Sequence, residues 1–536
     1  MKSLNLIATG LATTAGALSV QAQKVEQPNI IMIMVDDMGF SDIGPYGASD
    51  IETPNLDQLA SEGIRFRQFY NNSISAPTRA SLITGQYQHR AGVGYFNVDL
   101  GLPAYQGFLN RESLTFGEVL RTAGYTTLMS GKWHVGEQQD QLPNQRGFDH
   151  FFGFPGGFSC YYDRDNGKSR FKMELIKDNK PYKLQSDEHL TDAIGDHALE
   201  FIQDASQKKN PFFLYLAFNA PHWPLQAKPS NIEKYRGKYA LGWDSLRQQR
   251  FENAKKQGVV SATQELADHD EKLKEWSSLT YYEKEYWQRR QEVYAAMIDE
   301  VDQQIGRLLA KLKEVGRYDN TLIVFISDNG AQGGGPQAHD FDASGPVGTP
   351  GTFYIQNACW SQTGNSPLRD YKGRPYEGGI GAPFIAWYPN RIKGGSIVDG
   401  VAHLIDLAPT FYDLAKAKYP KTYNGVTTNA LPGRSLVPVL TGKRDVVDRG
   451  EPLFWERAGN HAVRDGRWKL ISLYPENKVE LYDIDTDRAE RHNVAFEHPD
   501  IVARLTAAYG NWALQNDVVD YSLLDRSARQ SMNLFK

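Results

Sequence analysis

Long apolar runs, each followed at once by polar residues, recur along this chain. Residues 29–35 (NIIMIMV), 211–218 (PFFLYLAF) and 321–327 (TLIVFIS) contain almost no polar position. Runs of this kind are typical of strands that are buried on both faces of a parallel sheet. Apolar residues also recur at helical spacing from Met297 to Leu312 and indicate a helix with one core-facing stripe. The pattern therefore predicts an α/β fold.

Weaker patterns predict the elements in between. Residues 53–60 open with Thr-Pro-Asn and predict a helix, whereas residues 66–70 predict a short strand. Residues 402–415 predict a helix that is interrupted at Pro409. Residues 231–291 are rich in Lys, Glu and Gln, and they predict solvated helices at the periphery. No segment repeats along the chain, so the sequence does not indicate a repeat protein.

Past Pro420 the chain changes to short β-like segments, joined by Asp-Gly and Pro-Glu-Asn turns and followed by one helical segment. This composition predicts a small antiparallel sheet with a packed helix. We therefore expect a large domain over residues 23–425 and a smaller α+β domain over residues 426–536. The strands are expected at 453–456, 461–463, 468–473 and 479–482, and the helix at 499–513.

The first residues have the pattern of an export signal. Lys2 supplies a positive end, residues 4–20 are apolar, and Val20-Gln21-Ala22 offers a small-residue cleavage site. We expect a signal peptide at residues 1–22 and a soluble, periplasmic mature chain. The apolar stretch is short for a bilayer span, and nothing later in the sequence approaches one.

Charge and cysteine content narrow the choice of partners. The formal net charge of -5 and the isoelectric point near 6.2 give no electrostatic reason to expect nucleic-acid binding. The 28 Tyr and 10 Trp fit a protein that faces sugars, although packing explains most such residues. Cys160 and Cys359 lack metal-site spacing, and the sequence leaves open whether they pair.

Oxygen ligands follow two of the apolar runs. Asp36-Asp37 comes directly after residues 29–35, and Asp328-Asn329 directly after residues 321–327. The carboxyl ends of parallel strands are where open α/β sheets place their ligands. Adjacent acids without a cationic neighbour repel each other unless a cation lies between them. Oxygen-only ligation favours calcium or magnesium over zinc, and calcium is preferred because it tolerates irregular, higher-coordinate cages. The alternative is a pair of ordinary polar loop starts.

Ser75-Ala76-Pro77-Thr78-Arg79 carries a hydroxyl four residues ahead of an arginine, before an apolar run that is compatible with a helix. If the run is helical, Ser75 lies near the helix N-terminus, where free amides and the helix dipole favour an anion. Arg79 then lies close to Ser75 and offers a fork of donors to a tetrahedral oxyanion. The alternative is an ordinary capped helix start.

Four further cationic or titratable residues stand in unusual settings. Lys132 and His134 follow the predicted strand at 124–130, and on a strand both project from the same face. His222 lies between two prolines just after residues 211–218, and Lys372 precedes Glu377-Gly-Gly. Taken singly, each lysine is more often a surface charge and each histidine a structural one.

Together these segments resemble the signatures of type I formylglycine-dependent sulfatases. The resemblance covers residues 28–389 and includes, in order, the Ser75 to Gly85 segment, Gly-Lys-x-His at 131–134, Pro-His-x-Pro at 221–224 and the Lys372 segment. It implies an alkaline-phosphatase-like fold with a smaller C-terminal sheet domain. The departures are Thr78 in place of the usual Ser and Ser75 in place of the commoner Cys.

The resemblance also implies a role for each residue. Ser75 becomes formylglycine, whose hydrate attacks sulfur. Arg79, Lys132 and Lys372 balance the acids and the sulfate. His134 helps to deprotonate the second hydroxyl, and His222 with Lys372 faces the leaving oxygen, although acid and base can be exchanged between the two histidines. The implied calcium ligands are Asp36, Asp37, Ser75, Asp328 and Asn329.

A Ser-type sulfatase implies an anaerobic, radical-based maturase, or else Ser75 is an engineered replacement of Cys. Export and aromatic content favour a sulfated carbohydrate as substrate, such as a terminal sulfated galactose or a related hexose of host or algal glycans. Candidate sugar contacts are Tyr161, Trp223, Trp360, Arg457 and His461. Two alternatives stay open: a phosphoester or phosphonate hydrolase of the same superfamily, and a non-catalytic binder of sulfated glycans in which Ser75 is unmodified.

Overall fold

The structure is a computed structural model that describes residues 27–163, 174–185, 187–333, 340, 343–389 and 391–524. The expected signal peptide at residues 1–22 lies outside these residues. Within the described part of the chain, no helix combines the length and the apolar character that a membrane crossing requires.

The strands of the described residues form one large sheet, one four-stranded sheet and one short hairpin. The strands are β1 Asn29–Val35, β2 Ile64–Tyr70, β3 Thr126–Lys132, β4 His150–Phe154, β5 Leu175–Lys177, β6 Lys180–Tyr182, β7 Phe212–Ala217, β8 Thr321–Ser327, β9 Gly381–Ala382, β10 Phe384–Trp387, β11 Ser396–His403, β12 Thr422–Tyr423, β13 Val426–Thr427, β14 Leu453–Arg457, β15 Asn460–Asp465, β16 Trp468–Leu473 and β17 Lys478–Asp483. The helices are α1 Pro54–Glu62, α2 Ser75–Thr84, α3 Phe116–Thr122, α4 Leu190–Ser206, α5 Pro229–Lys234, α6 Gly242–Lys256, α7 Tyr281–Glu314, α8 Ala358–Gly364, α9 Glu377–Ile380, α10 Leu407–Ala415, α11 Val437–Leu440 and α12 Pro499–Gln515.

The large sheet has the strand order β11-β2-β10-β8-β1-β7-β3-β4-β5-β6, with β9 beside β2. Its centre is parallel, because β1 pairs in parallel with both β7 and β8, and β3 pairs in parallel with β7 and β4. The strand β10 is antiparallel to its neighbours β8 and β2. This arrangement confirms the predicted mostly parallel sheet.

The strand β1 shows why the apolar runs are continuous. Ile31 and Ile33 lie in one buried hydrophobic core, whereas Ile30 and Met32 lie in another. Successive side chains of a strand point to opposite faces, so both faces of the sheet must be covered by helices and loops. The stripe on α7 belongs to the first of these cores, as its spacing predicted.

Three local predictions were wrong. Residues 402–415 are not one helix, because β11 continues to His403 and α10 begins only at Leu407. Pro409 does not interrupt α10, because it lies in the first turn, where its missing N–H is not needed. The segment 231–291 is also less peripheral than expected, since Trp243 and Phe251 of α6 are buried in the core.

The four-stranded sheet β14-β15-β16-β17 is antiparallel, and α12 packs on it through Trp512, whose ring stacks on Phe454 at 5.2 Å. This confirms the predicted C-terminal sheet and helix. This sheet contacts the residue that follows β2 of the large sheet, because the indole nitrogen of Trp455 donates to the carbonyl oxygen of Asn71 at 2.8 Å.

Candidate active site

The carboxyl ends of β1 and β8 bring four oxygen-bearing side chains together. Asp36 and Asp37 follow β1, Asp328 and Asn329 follow β8, and the two strands are parallel neighbours. All four residues are at most 1% exposed. The main-chain nitrogen of Asp37 donates to Asp328 Oδ1 at 3.1 Å, which locks the two loops to each other.

Three cations face the three acids. Lys132 Nζ lies 2.6 Å from Asp36 Oδ2, and Lys372 Nζ lies 2.6 Å from Asp37 Oδ1. Arg79 Nη2 donates to Asp328 Oδ2 at 3.1 Å. The acidic and basic charges of this group are therefore equal in number before any ligand binds.

Ser75 is the first residue of α2 and follows the extended residue Ile74. Its Oγ accepts a hydrogen bond from Arg79 Nε at 2.9 Å and lies 3.3 Å from His134 Nδ1. Arg79 thus links the serine to Asp328 through two neighbouring donors, Nε and Nη2, of one guanidinium. Such a pair of donors forms the fork that suits a tetrahedral oxyanion. The expectation that Arg79 lies close to Ser75 at the helix start agrees with this geometry.

His134 is not on a strand, so the expectation that it shares a strand face with Lys132 was wrong. The strand β3 ends at Lys132, and His134 has a φ of 61°. That turn carries the imidazole towards Ser75 and under Phe96, whose ring meets it edge-on at 5.1 Å. A Cβ placed on Gly157 would lie only 2.8 Å from His134 Nε2, so the imidazole requires a glycine there.

His222 lies on the opposite side of the acids. Its Nδ1 lies 2.8 Å from the carbonyl oxygen of Trp223, to which the ring donates, and its Nε2 lies 3.5 Å from Asp37 Oδ2. A neutral ring that donates from Nδ1 presents a lone pair at Nε2, and that lone pair faces a carboxylate. Only a proton or a cation between the two makes this contact favourable. The Tyr161 hydroxyl donates to the carbonyl oxygen of His222 at 2.9 Å and holds the loop.

Burial governs the protonation of the site. It lowers the pKa of Lys132 to about 8 although Asp36 opposes the shift, and it lowers the pKa of His222 to about 3. Burial, together with Lys132 and Arg79, holds the pKa of His134 well below its usual value. Burial and the neighbouring Asp36 raise the pKa of Asp328. A further positive charge therefore favours the ionised acids and the neutral histidines.

Three buried oxygens of this group accept no hydrogen bond in the described structure: Asp36 Oδ1, Asp37 Oδ2 and Asn329 Oδ1. Each such acceptor costs ~1–3 kcal/mol, so three in one place indicate a missing positive partner. Asp36, Asp37 and His222 offer ligand atoms within 4.8 Å of one another. Carboxylate and amide oxygens suit a hard divalent cation, and these residues fit one. Both Asp328 oxygens already accept hydrogen bonds, from the Asp37 main-chain nitrogen and from Arg79.

The candidate sugar contacts separate into two groups. Tyr161 and Trp360 are buried, and His461 stacks on Tyr509 at 3.7 Å, so these three pack inside the protein. Trp223 adjoins His222, and Arg457 touches the loop that follows Lys372. The two cysteines remain unbridged thiols.

Sequence reasoning missed Phe96 and Gly157, both of which contact His134. The Gly156-Gly157 pair was a usable signal, because consecutive glycines often mark a close approach of the backbone to another group. No comparable signal marks Phe96.

Comparison with known proteins agrees with this geometry. The sulfatase family profile matches residues 28–417, and a profile described as N-sulphoglucosamine sulphohydrolase, C-terminal, matches residues 371–509. An arylsulfatase of Klebsiella aerogenes is 35% identical over 74% of this chain and 88% of its own length. An N-acetylgalactosamine-6-sulfatase of Mus musculus is 29% identical over 90% of this chain and 80% of its own length.

Among solved structures, Ps i-CgsB in complex with k-i-k-neocarrahexaose has a TM-score of 0.69 at 27% identity, and the match covers 95% of this chain and 98% of that one. The family profile spans the large sheet together with Ser75, Lys132, His222 and Lys372. This chain belongs to the sulfatase family and is a sulfuric ester hydrolase.

Proposed function

We propose that this chain hydrolyses a sulfate ester on a sugar by means of a formylglycine derived from Ser75 and a bound calcium ion. The observation that carries the proposal is the position of the Ser75 hydroxyl. It lies between Arg79 Nε and His134 Nδ1, beside buried acidic oxygens that lack a partner. An unmodified serine hydroxyl is a weak nucleophile at its ordinary pKa, whereas an aldehyde hydrate supplies two hydroxyls at the same position, one of which can lose its proton to His134.

Asp36, Asp37, Asp328, Asn329 and the modified Ser75 are the residues we assign to calcium. When bound, the aldehyde hydrate supplies the attacking hydroxyl, and the cation supplies Lewis-acid polarisation of the sulfate. Calcium is preferred to magnesium because the donors form an irregular group with oxygens from two loops, whereas magnesium demands a near-ideal octahedron.

The remaining residues handle charge and protons. Arg79, Lys132 and Lys372 neutralise the acids in pairs, so a divalent cation leaves a net positive site that attracts a sulfate monoester. The reaction consumes one water and breaks the bond between sulfur and the sugar oxygen, which must then gain a proton. His222 and Lys372 both contact Asp37, and we assign them to that oxygen. A neutral His222 has no proton at Nε2, so the proton comes from the Lys372 ammonium or from a His222 that has first gained a proton there. His134, next to Ser75 Oγ, is assigned to the hydroxyl that loses its proton.

Two kinds of observation support a sugar as the molecule that carries the sulfate. The relatives include an N-acetylgalactosamine-6-sulfatase, and a similar structure holds a neocarrahexaose. Beside His222, the rings of Phe158, Trp223 and Phe353 contact one another at centroid distances of 4.5 to 5.9 Å. Such a wall offers an apolar face to a pyranose ring. We infer a terminal sulfated galactose or related hexose.

The sequence pattern also supports proposals about the segments of the chain and its location. We propose a signal peptide at residues 1–22, a catalytic domain over 23–425, a smaller domain over 426–536 and a periplasmic location. We further propose that an anaerobic formylglycine-generating maturase oxidises Ser75.

The test is sulfate release from position-defined sulfated monosaccharides and disaccharides by protein co-expressed with an anaerobic maturase. We expect turnover of sulfated hexoses, loss of two hydrogen atoms in the mass of the Ser75 peptide, and no turnover by Ser75→Ala. Faster turnover of aryl phosphate than of aryl sulfate would favour a phosphoester hydrolase instead. An unmodified Ser75 peptide in matured protein, together with absence of sulfate release, would leave only a glycan-binding role.

A further inference from the structure

Arg457 is a cation near the Ser75 site that has no carboxylate partner among the described residues. It is the last residue of β14, at the start of the hairpin that leads to β15. Its Nη1 donates to the carbonyl oxygen of Gly373 at 2.8 Å, and its buried Nε has no acceptor. No ion pair among the described residues involves it, since the neighbouring Glu456 pairs with His89 instead.

Most of the fully buried arginines among the described residues are neutralised. Arg79, Arg250 and Arg488 each contact a carboxylate. Arg65 and Arg247 share the absence of a carboxylate partner and donate to main-chain carbonyl groups. A buried guanidinium with open donors is costly unless a ligand pairs with it, and burial accordingly lowers the pKa of Arg457. Because Arg65 and Arg247 are also without a carboxylate partner among the described residues, only the location of Arg457 in the protein distinguishes it as a candidate ligand-binding residue.

That position is the rim of the Ser75 site. Gly373, which Arg457 touches, directly follows Lys372, and its main-chain nitrogen donates to the carbonyl oxygen of Ser73 at 2.7 Å. On its other side Arg457 interacts electrostatically with Tyr95, and the next residue, Phe96, packs on His134. Arg457 thus lies between the segment that contains Lys372, which contacts the segment before Ser75, and the segment that contains Phe96.

We propose that Arg457 binds a second anionic group of the substrate, a sulfate or a carboxylate on the sugar that carries the scissile sulfate or on the adjoining sugar. The inference rests on the proposed function and adds a specificity to it. The guanidinium fork matches either oxyanion, and pairing with one supplies the missing counter-charge. The enzyme consequently prefers a dianionic glycan to one whose only charge is the scissile sulfate.

The test compares three substrates of equal size: a monosulfated disaccharide, the same disaccharide with a second sulfate, and a monosulfated disaccharide with a uronic acid. Matured wild-type protein, Arg457→Gln and Arg457→Lys are assayed for kcat/KM on each. Arg374→Gln serves as the matched control, because Arg374 is an exposed arginine of the loop that contains Gly373. It reports any effect of simply removing a positive charge nearby.

We expect the wild type to prefer one dianionic substrate by at least about tenfold, the effect of one charge-assisted contact. The favoured arm identifies the second group as sulfate or carboxylate. Arg457→Gln should lose that ratio, Arg457→Lys should keep part of it, and Arg374→Gln should keep it whole.

The inference is overturned if the wild type shows no such preference, or if Arg457→Gln retains it. Turnover of the monosulfated disaccharide by the wild type tests the proposed function separately. If Arg457→Gln does not fold, the wild-type ratio and the Arg457→Lys ratio still decide the matter.

Discussion

Two clusters of buried charge lie at the two sides of the Lys372 segment, and they differ in one respect. The first, the Ser75 cluster, comprises Asp36, Asp37, Asp328 and Asn329 with Arg79, Lys132 and Lys372. The second, the Glu377 cluster, comprises Tyr70, Glu377, Lys469, Arg488 and Glu490. Both are almost completely shielded from solvent, except that the Lys372 side chain is 13% exposed.

In the Glu377 cluster every carboxylate oxygen has a donor. Glu377 Oε1 pairs with Lys469, and its Oε2 accepts from Tyr70 and Arg488. Glu490 Oε1 pairs with Lys469, and its Oε2 accepts from the main-chain nitrogen of Glu377. The cluster joins the C-terminal sheet to the segment that carries Lys372, and none of its carboxylate oxygens lacks a donor, although Arg488 Nη2 has no acceptor among the described residues.

The Ser75 cluster leaves three oxygens without a donor, although its charges are equally well balanced. A protein that needed these acids only for stability would gain by satisfying or removing them, and this cluster does neither. What distinguishes the Ser75 cluster from the Glu377 cluster is therefore its group of unsatisfied acceptors, and neither burial nor charge separates the two. The predictions that follow test this contrast.

The largest expected effect is in the Ser75 cluster. Asp37→Asn keeps the size of the side chain and removes a charge that we assign to calcium. We expect kcat/KM for sulfate release to fall by at least about 10³-fold, since the substitution weakens the stabilisation of developing charge. Without added metal, the urea unfolding free energy should fall by less than in the Lys469→Met variant described below, because the substitution removes one costly acceptor and the Lys372 that loses its carboxylate is 13% exposed and can be solvated. A stability loss comparable with the activity loss would contradict the contrast.

The opposite behaviour is expected in the Glu377 cluster. Lys469→Met removes the cation shared by Glu377 and Glu490 and leaves two buried acids facing each other. Breaking such a pair costs about 3–5 kcal/mol, which should appear as a lower urea midpoint. The control Arg444→Gln removes an exposed arginine that lies 3.5 Å from Asp448 and should change the midpoint far less. An unchanged midpoint for Lys469→Met would show that the cluster does not stabilise the packing of the four-stranded sheet against the Lys372 segment.

Substitution of the adjacent residues Gly156 and Gly157 tests the position of the His134 imidazole. Gly157→Ala places a methyl group 2.8 Å from His134 Nε2, so the imidazole must shift away from Ser75. We expect kcat to fall by roughly 10- to 100-fold, the effect of misplacing a catalytic group. In Gly156→Ala the nearest atom, of Glu137, is 3.9 Å away, so little change is expected. Equal effects of the two variants on kcat would contradict a role for the His134 position.

The smallest expected effect is on the pH dependence of stability and involves His403, which belongs to neither cluster. Burial, with a contribution from Arg449, holds the pKa of His403 well below 6.5. The unfolded chain therefore binds a proton below pH 6.5 that the folded chain does not, so stability falls as the pH drops from 6.5 to 5. His403→Asn should reduce this slope by up to about 1.4 kcal/mol per pH unit in urea unfolding measured at several pH values. An unchanged slope would mean that His403 takes up its proton in the folded state.

Much of the fold could be predicted because burial on both faces leaves a signal in the sequence. The bounds of β1 and β8 follow directly from their apolar runs, and the oxygen residues after them could be located at one edge of the sheet. The strand β11 was missed because its run is broken by Asp399 and Gly400 and continues into a helix. His134 was misplaced because alternation holds only within a strand, and β3 ends before it.

The Glu377 cluster could not be predicted from the sequence. Its members come from four distant segments, and nothing local about Lys469 or Glu490 distinguishes them from surface residues. The pairing of Arg457 with Gly373 depends in the same way on how the C-terminal sheet docks. Long-range contacts of this kind carry no periodicity and no motif, so only the folded chain reveals them.

The most direct test of the account is a calorimetric titration of calcium into metal-free protein, with Asp37→Asn as the comparison and magnesium as the competitor. We predict one calcium per chain, bound with a Kd in the micromolar range or tighter, together with weaker binding of magnesium and no calcium binding to Asp37→Asn. Absence of binding to the wild type, or equal binding to Asp37→Asn, would contradict the claim that the unsatisfied oxygens of the Ser75 cluster form a cation site.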